Sequence, residues 1–474
     1  MSKDIAFSYN FHPVGQGLFG SGTLRPWQDQ QLPFHWVFDC GSMAKKADWI
    51  QQVNWYRDLV LQENMLNLLC VSHFDMDHVS GLGELLDGIH VGTVVLPYIT
   101  PIERLVLGCT QSGRRGRGGG IDEEYFAFLS NPVEFIIDRA DRVDRILYIH
   151  RPPPDDPTWP YGDAGGDSPL RDLDDRPFQP HRQTVQNDND RDGWHLKPWD
   201  VNQLGAPPGF AGGMTESAPN WSDPVWFVNE TVELRAVAPS DKGYPSQWEF
   251  LFFHKPEPPE TISRIVQEAE WVLADERAEL DAQISLADAL QNPKLRTKIR
   301  DVYRRAFGSG KKFNAASLCV YTGPLAETQI DFAISPPRIW HGIPPYFNNV
   351  FGRHWPWPER GLSASNLLPS VLYTGDANFM REANRLELRA FLKDHRWQRF
   401  IILQVPHHGS RDNWEAGSAN EFPHAWSVFC ADPQFRHHHP DREVILDLLG
   451  RNPLLVDRVA GVGFDGIALY DEHS

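Results

Sequence analysis

The stretch LLCVSHFDMDHVSGLGELL, Leu68 to Leu86, constrains the fold of this chain more than any other. An apolar run suited to a buried strand gives way to His73, Asp75, Asp77 and His78, and then to an apolar-periodic segment suited to a helix. Alternation at 73, 75 and 77 projects those side chains to one side of an extended backbone, and His78 can turn back as the helix begins. Two imidazoles and two carboxylates on one strand-to-helix turn are cation ligands by chemistry, but an ion needs four or more donors. The remaining donors must come from distant parts of the chain.

Candidates stand at the ends of other strand-like runs. WVFDCGS (Trp36 to Ser42), LNLLCVSHFD (Leu66 to Asp75), SVLYTGDAN (Ser370 to Asn378) and RFIILQVPHHGS (Arg399 to Ser410) each carry their polar residues at the C-terminal end, where α/β proteins place their sites. WSVFCAD, Trp426 to Asp432, reads as a further strand. These runs supply Asp376 after a glycine, His407 and His408 before Gly409, and the imidazoles His437, His438 and His439 before Pro440. Amphipathic helices are expected over Val79 to Leu86, Glu382 to Asp394 and Asp441 to Leu449. The alternation of the two element types predicts an α/β core, and the apolar run RFIILQV predicts a strand covered on both faces.

Two regions break this rhythm. Residues 97–223 hold GRRGRGGG, RPPPDDPTWPYGDAGGDSP and QNDNDRDG, a Pro-, Gly- and Asp-rich composition that reads as a long, partly irregular insertion. Residues 257–310 are helical by composition and read as a surface lid or a docking arm for a protein partner. The 474 residues otherwise read as one large domain.

Charge and cysteine usage exclude some classes. With 45 basic against 63 acidic residues, the net charge of -18 is not that of a protein that coats nucleic acid, although a local basic channel is compatible with it. The five cysteines, Cys40, Cys70, Cys109, Cys319 and Cys430, form no CxxC pair and read as core residues of a reducing compartment. No apolar run approaches the roughly 20 residues needed to span a bilayer, and the first residues have no apolar leader. The expectation is a soluble cytoplasmic protein without membrane contact.

The ordered set HPVGQG (from His12), FDCGS (from Phe38), SHFDMDHVSGL (from Ser72), NAASLCV (from Asn314), LYTGDA (from Leu372), VPHHGS (from Val405) and HHP (from His438) resembles the metallo-β-lactamase-fold hydrolases. Within them it is most similar to the branch of the C-terminal domain of the ComEC/Rec2 competence proteins, which carries HxDxDH in place of HxHxDH. The resemblance covers both halves of the chain and leaves the two insertions unmatched. Two departures are the absence of an acid after GQG and of the ComEC membrane channel, so DNA uptake is not implied.

The resemblance implies a four-layer αβ/βα sandwich holding two divalent ions. It implies that His73 and Asp75 serve one ion, Asp77 and His78 the other, and that Asp376 bridges them, with one of His407 and His408 filling a further position. His439 is the later histidine of the pattern, a ligand or a proton donor to the leaving group. Asn314, Ser317 and Ser410 border the site and contact substrate. Asp75 in place of an imidazole makes the shell oxygen-rich and moves the expected metal from Zn²⁺ toward Mn²⁺ or Mg²⁺.

The activity implied is hydrolysis of a phosphodiester, in DNA or RNA, by a hydroxide bridging the two ions. Arg114, Arg115 and Arg117 are candidates for a phosphate-binding loop. Two other functions compete. One is hydrolysis of a small phosphodiester, lactone or thioester, and the other is a metal-binding component of a multiprotein bacterial defence or conflict system.

Overall fold

The computed structural model describes residues 4–26, 32–61, 64–111, 123–150, 194–198, 225–229, 231–237, 247–254, 267–276, 286–307, 317–325, 330–342 and 367–470. They form an α/β protein with two mixed sheets and interspersed helices. The first sheet runs from Ile330–Ile334 through Ala460–Tyr470, Ile5–Phe11, Gly17–Pro26, Phe34–Ser42, Met65–Cys70, His90–Pro97 and Arg142–His150 to Val225–Asn229, with Arg338–His341 also paired to Ala460–Tyr470. The second runs from Pro453–Val456 through Trp426–Cys430, Phe400–Gln404, Leu368–Tyr373, Leu318–Pro324, Gln247–His254 and Thr231–Val237 to His195–Pro198. Each sheet has a parallel half. In the first it comprises Phe34–Ser42 and the strands beyond it, and in the second the four strands from Leu368–Tyr373 to Pro453–Val456.

A layer of aromatic and branched side chains joins the two sheets face to face. Trp36, Phe38, Leu68 and Cys70 of the first share one buried cluster with Phe250, Val320, Val371, Tyr373 and Val428 of the second. Phe38 stacks on Tyr373 at 4.7 Å, Trp36 meets Phe250 edge-on at 5.4 Å, and the Tyr9 hydroxyl donates to the Pro369 carbonyl at 2.7 Å. Strands buried on both faces need a second apolar layer outside, and each sheet has one. Helices Lys46–Trp55, Pro101–Gln111, Glu123–Ser130 and Pro132–Arg139 cover the first sheet, and Glu382–Trp397 with Arg442–Asp447 covers the second.

The insertions meet this core where they are described. Among the described residues between 97 and 150 the chain forms three helices and the core strand Arg142–His150, so regular structure is present well before the Pro-rich tract. In the helical insertion, Ala269, Leu273, Leu286, Leu290, Leu295 and Ile299 are buried in the cluster beneath the first sheet. GRRGRGGG, with Arg114, Arg115 and Arg117, lies outside the described residues, as do Asn314 and most of 151–223. Among the described residues no helix is long and apolar enough to cross a membrane.

The helix expected over Val79 to Leu86 is two short helices, Met76–Val79 and Leu82–Leu86. The chain breaks at Gly81, whose N–H donates to the Cys40 carbonyl and where a Cβ would lie 2.8 Å from Cys40 Sγ and 2.9 Å from the Trp49 ring. Helical geometry therefore starts before His78, and Asp77 and His78 are both helical residues.

Three histidines are core residues. The His12 ring bonds Ser21 Oγ at 2.8 Å, His35 bonds Thr23 Oγ1 at 3.1 Å and His424 bonds Ser427 Oγ at 2.7 Å, and burial lowers each from 6.5 to about 3. A folded value below the unfolded one means that the unfolded chain binds more protons, so this stability is complete above about pH 6.5 and is lost as pH falls toward 3. His12→Gln, His35→Gln and His424→Gln are each expected to flatten the acid-side slope of unfolding free energy against pH by ~1.4 kcal/mol per pH unit. Denaturant titrations between those limits check this, and an unchanged slope in all three variants would show that the rings are protonated in the fold.

Candidate metal centre

The site begins at a defect in a strand. Phe19 pairs with Cys40 and Gly20 with Phe38, so Asp39 is an extra residue in Phe34–Ser42. It adopts φ 57°, a conformation that suits a bulge and turns its side chain out of the ladder. The fully buried carboxylate accepts from the Ser72 N–H at 2.6 Å and the Ser72 hydroxyl at 2.6 Å, and bonds His78 Nδ1 at 2.8 Å. A carboxylate on Nδ1 makes that nitrogen the proton-bearing one and leaves Nε2 with its lone pair for a ligand.

His73 is oriented in the same manner. Its Nδ1 lies 2.9 Å from Ser72 Oγ and 3.1 Å from Ser317 Oγ, and Ser317 Oγ also accepts from the Asp376 N–H at 2.8 Å. Asp376 follows Gly375, whose φ is 52° and where a Cβ would meet Ser72 Oγ at 2.8 Å and Ser317 Oγ at 2.9 Å. Only glycine permits that approach between the two loops.

Gln404 stands in the otherwise apolar strand Phe400–Gln404 and braces this turn. Its Oε1 accepts from the N–H groups of Thr374 and Gly375, both at 2.8 Å, and its Nε2 donates to Val405 O at 2.7 Å. The turn after that strand places His407 and His408 at φ 47° and 59°. His407 Nδ1 bonds Asn413 Oδ1 at 2.5 Å, and His408 Nδ1 bonds the Cys430 carbonyl at 2.6 Å. Nδ1 is thus engaged in all four histidines, and Nε2 is the atom each presents to the centre.

Among the described residues, two groups hold ligand atoms within 4.8 Å of one another, His73 with His78 and Asp376, and Asp77 with His78 and His408. Asp376 Oδ2 lies 3.6 Å from His73 Nε2 and 3.5 Å from His407 Nε2, and Oδ1 lies 3.3 Å from His78 Nε2. His408 Nε2 stands 3.1 Å from Asp77 Oδ2. The separations around Asp376 are long for hydrogen bonds, and buried His73 Nε2 and His78 Nε2 make none. Donors about 2.1 Å from a shared tetrahedral ion sit about 3.4 Å apart, so the residues fit a cation.

The electrostatics agree. Burial alone would lower His78, but the carboxylates of Asp376 and Asp39 outweigh it and hold the ring well above its ordinary value. Burial, with the neighbouring His78, takes His73 down to about 4. Burial would raise Asp376, yet His407, His78 and His73 keep it well below the carboxylate range. A proton at His78 occupies part of the place of a metal charge, and the two compete.

The two overlapping triads can hold one or two ions. An imidazole nitrogen has one lone pair, so His78 Nε2 serves a single ion, and a second must draw on others such as His407 Nε2. Asp75 is buried beside these groups as the residue preceding the helix Met76–Val79, outside both triads. Ser317 holds ligands in place from behind, and Ser410 is buried in the turn that carries the two histidines. His439 lies farther out, its ring 6.2 Å from that of His407 and its Nδ1 3.5 Å from Asp441 Oδ2.

Asp39, Ser72, Gln404 and Asn413 were not expected from sequence. A signal existed for two of them, an acid inside the strand-like WVFDCGS and a lone amide in RFIILQV. No protein-family model matches the chain, and no curated protein matches it.

Removing the carboxylate that orients His78 leaves the ligands in place but releases the ring. Asp39→Ala is expected to weaken Mn²⁺ and Zn²⁺ binding by about 10- to 100-fold, with Asp39→Asn intermediate. Calorimetric metal titrations of folded variants measure this, and wild-type affinity in both would remove Asp39 from the site.

Proposed function

We propose that this chain is a metal-dependent hydrolase of the metallo-β-lactamase fold, a four-layer αβ/βα sandwich, and that it cleaves phosphodiester bonds in nucleic acid. The observation that carries the reading is the pair of buried, unbonded imidazole nitrogens of His73 and His78 facing opposite oxygens of Asp376. The order of motifs along the chain and the two-sheet architecture, with the ligands in segments that follow C-terminal strand ends, support the same fold.

In this reading Asp376 would help to hold both ions. His73 and His407 face its Oδ2 and His78 faces its Oδ1, while Asp77 and His408 group with His78. Both histidines of VPHHGS would then contribute, from different sides, and Asp75, buried in the same turn as His73, would be the further carboxylate available. Divalent ions held there supply Lewis-acid polarisation and lower the pKa of water to the neutral range.

The protein's own residues do the rest. Asp39, Ser72, Ser317 and Asn413 keep the donors in one geometry, so little reorganisation is needed when charge develops on the attacked phosphorus. His439 holds the proton for the leaving oxygen. Asp441 Oδ2 lies 3.5 Å from its Nδ1 and sets a negative charge beside the ring. Ser410, in the turn that carries the two histidines, borders the substrate.

The expected result is hydrolysis of linear and plasmid DNA, RNA and bis-p-nitrophenyl phosphate by purified protein, stimulated more by Mn²⁺ than by Zn²⁺. Asp77→Ala and Asp376→Ala are each expected to reduce the rate more than ~100-fold, beyond the usual loss for an orienting residue. Cleavage of the small ester without any polymer would replace the nuclease with a small-molecule hydrolase. Bound metal without activity on any substrate would favour a scaffold role.

A further inference from the structure

The segment PQFRHHHP, Pro433 to Pro440, contains one arginine, three histidines and no acid, in a chain of 63 acidic and 45 basic residues. It leaves the end of Trp426–Cys430, the second-sheet strand beside that of the two ligand histidines. Its side chains form a ladder of rings leading away from the centre. The His407 ring lies 6.2 Å from His439, His439 stacks on His437 at 5.9 Å with 13° between planes, and His437 lies 5.8 Å from Phe435.

At the outer end, the Arg436 guanidinium stands 5.6 Å from the Phe435 ring centroid and donates from Nε to His437 Nε2 at 3.0 Å. Arg436, His437 and His438 are exposed, and Phe435 is half-buried. The fold uses neither Arg436 nor His437 to close its core.

A row of flat rings beside a cation, ending at a hydrolytic centre, suits a ligand that alternates flat bases with phosphates. Bases stack on aromatic faces with little regard to sequence, and a guanidinium matches the geometry of a phosphate. A duplex offers no free base face, so this chemistry selects single strands.

We infer that Phe435, Arg436 and His437 form a lip that holds a single-stranded nucleic acid as it leaves the centre, with a base against His437 and a phosphate on Arg436. The inference rests on the nuclease reading above and names its substrate class. The lip is a binding element and takes no part in bond cleavage.

The test is fluorescence anisotropy with the metal-loaded full-length protein and a fluorescein-labelled thymidine dodecamer whose phosphorothioate linkages resist hydrolysis. Arg436→Ala is expected to weaken binding and to reduce the slope of log affinity against log salt by about 0.7, the value for one lost phosphate contact on a single strand. His437→Ala is expected to weaken binding roughly tenfold, with no effect on an abasic strand of equal length. Arg389→Ala, an exposed arginine paired with Asp394 on the helix Glu382–Trp397, serves as the control and is expected to bind as wild type.

Wild-type affinity and salt slope in both lip variants, or a duplex bound as tightly as the single strand, overturns the inference. A uridine strand in parallel decides between DNA and RNA as the source. The nuclease reading fails separately, on the absence of polymer cleavage. Polymer cleavage by a protein whose lip variants bind normally would sink the lip alone.

Discussion

A carboxylate with no access to water must have its lone pairs met by donors, and Asp39 meets that condition with groups that all belong to the ligand loop. The Ser72 N–H, the Ser72 hydroxyl and His78 Nδ1 surround it. These bonds tie the strand Phe34–Ser42 to the loop after Met65–Cys70 and set the ring of His78. From Ser72 the same network passes to His73 Nδ1, then to Ser317 and the Asp376 N–H in the second sheet. One buried carboxylate is thereby linked to ligands carried by both sheets.

The backbone around this network is held in conformations that side chains disfavour. Asp39, His407 and His408 all have positive φ, at an expected cost of order 1–3 kcal/mol each. The surrounding core offsets that cost. Gln404 satisfies two backbone donors of the Asp376 turn, and Val405 N–H donates to Val428 O directly before the histidine pair. Concentration of strain at ligand-bearing turns, with regular strands leading into them, is what a preorganised site requires.

Much of the fold was legible because its strands are short apolar runs ending in clusters of polar residues. WVFDCGS, LNLLCVSHFD, SVLYTGDAN and RFIILQVPHHGS all end at the centre, and the α/β core follows from their alternation with helices. The break at Gly81 was not legible, because it depends on Cys40 and Trp49 pressing against that turn from other elements. Asp39 showed only as an acid inside an apolar run, and its bulge is set by a one-residue excess over its neighbour strand, a property of pairing that no single strand carries. The helical insertion looked charged and superficial in sequence, yet its described helices bury Leu290 and Ile299 beneath the first sheet.

The sequence by itself determined which chemistries are present and which strand ends carry them: His73, Asp75, Asp77 and His78 on one turn, Asp376 on another, His407 and His408 on a third. Residue types and local periodicity are enough for that. Tertiary structure alone decided that Asp376 turns one oxygen to His73 and His407 and the other to His78, and that His408 approaches Asp77. The turn of His73 to His78 is some 300 residues from Asp376 and from the histidine pair along the chain. They meet only because two parallel half-sheets pack face to face with their C-terminal ends together, an arrangement maintained by the shared aromatic core and not by any local preference.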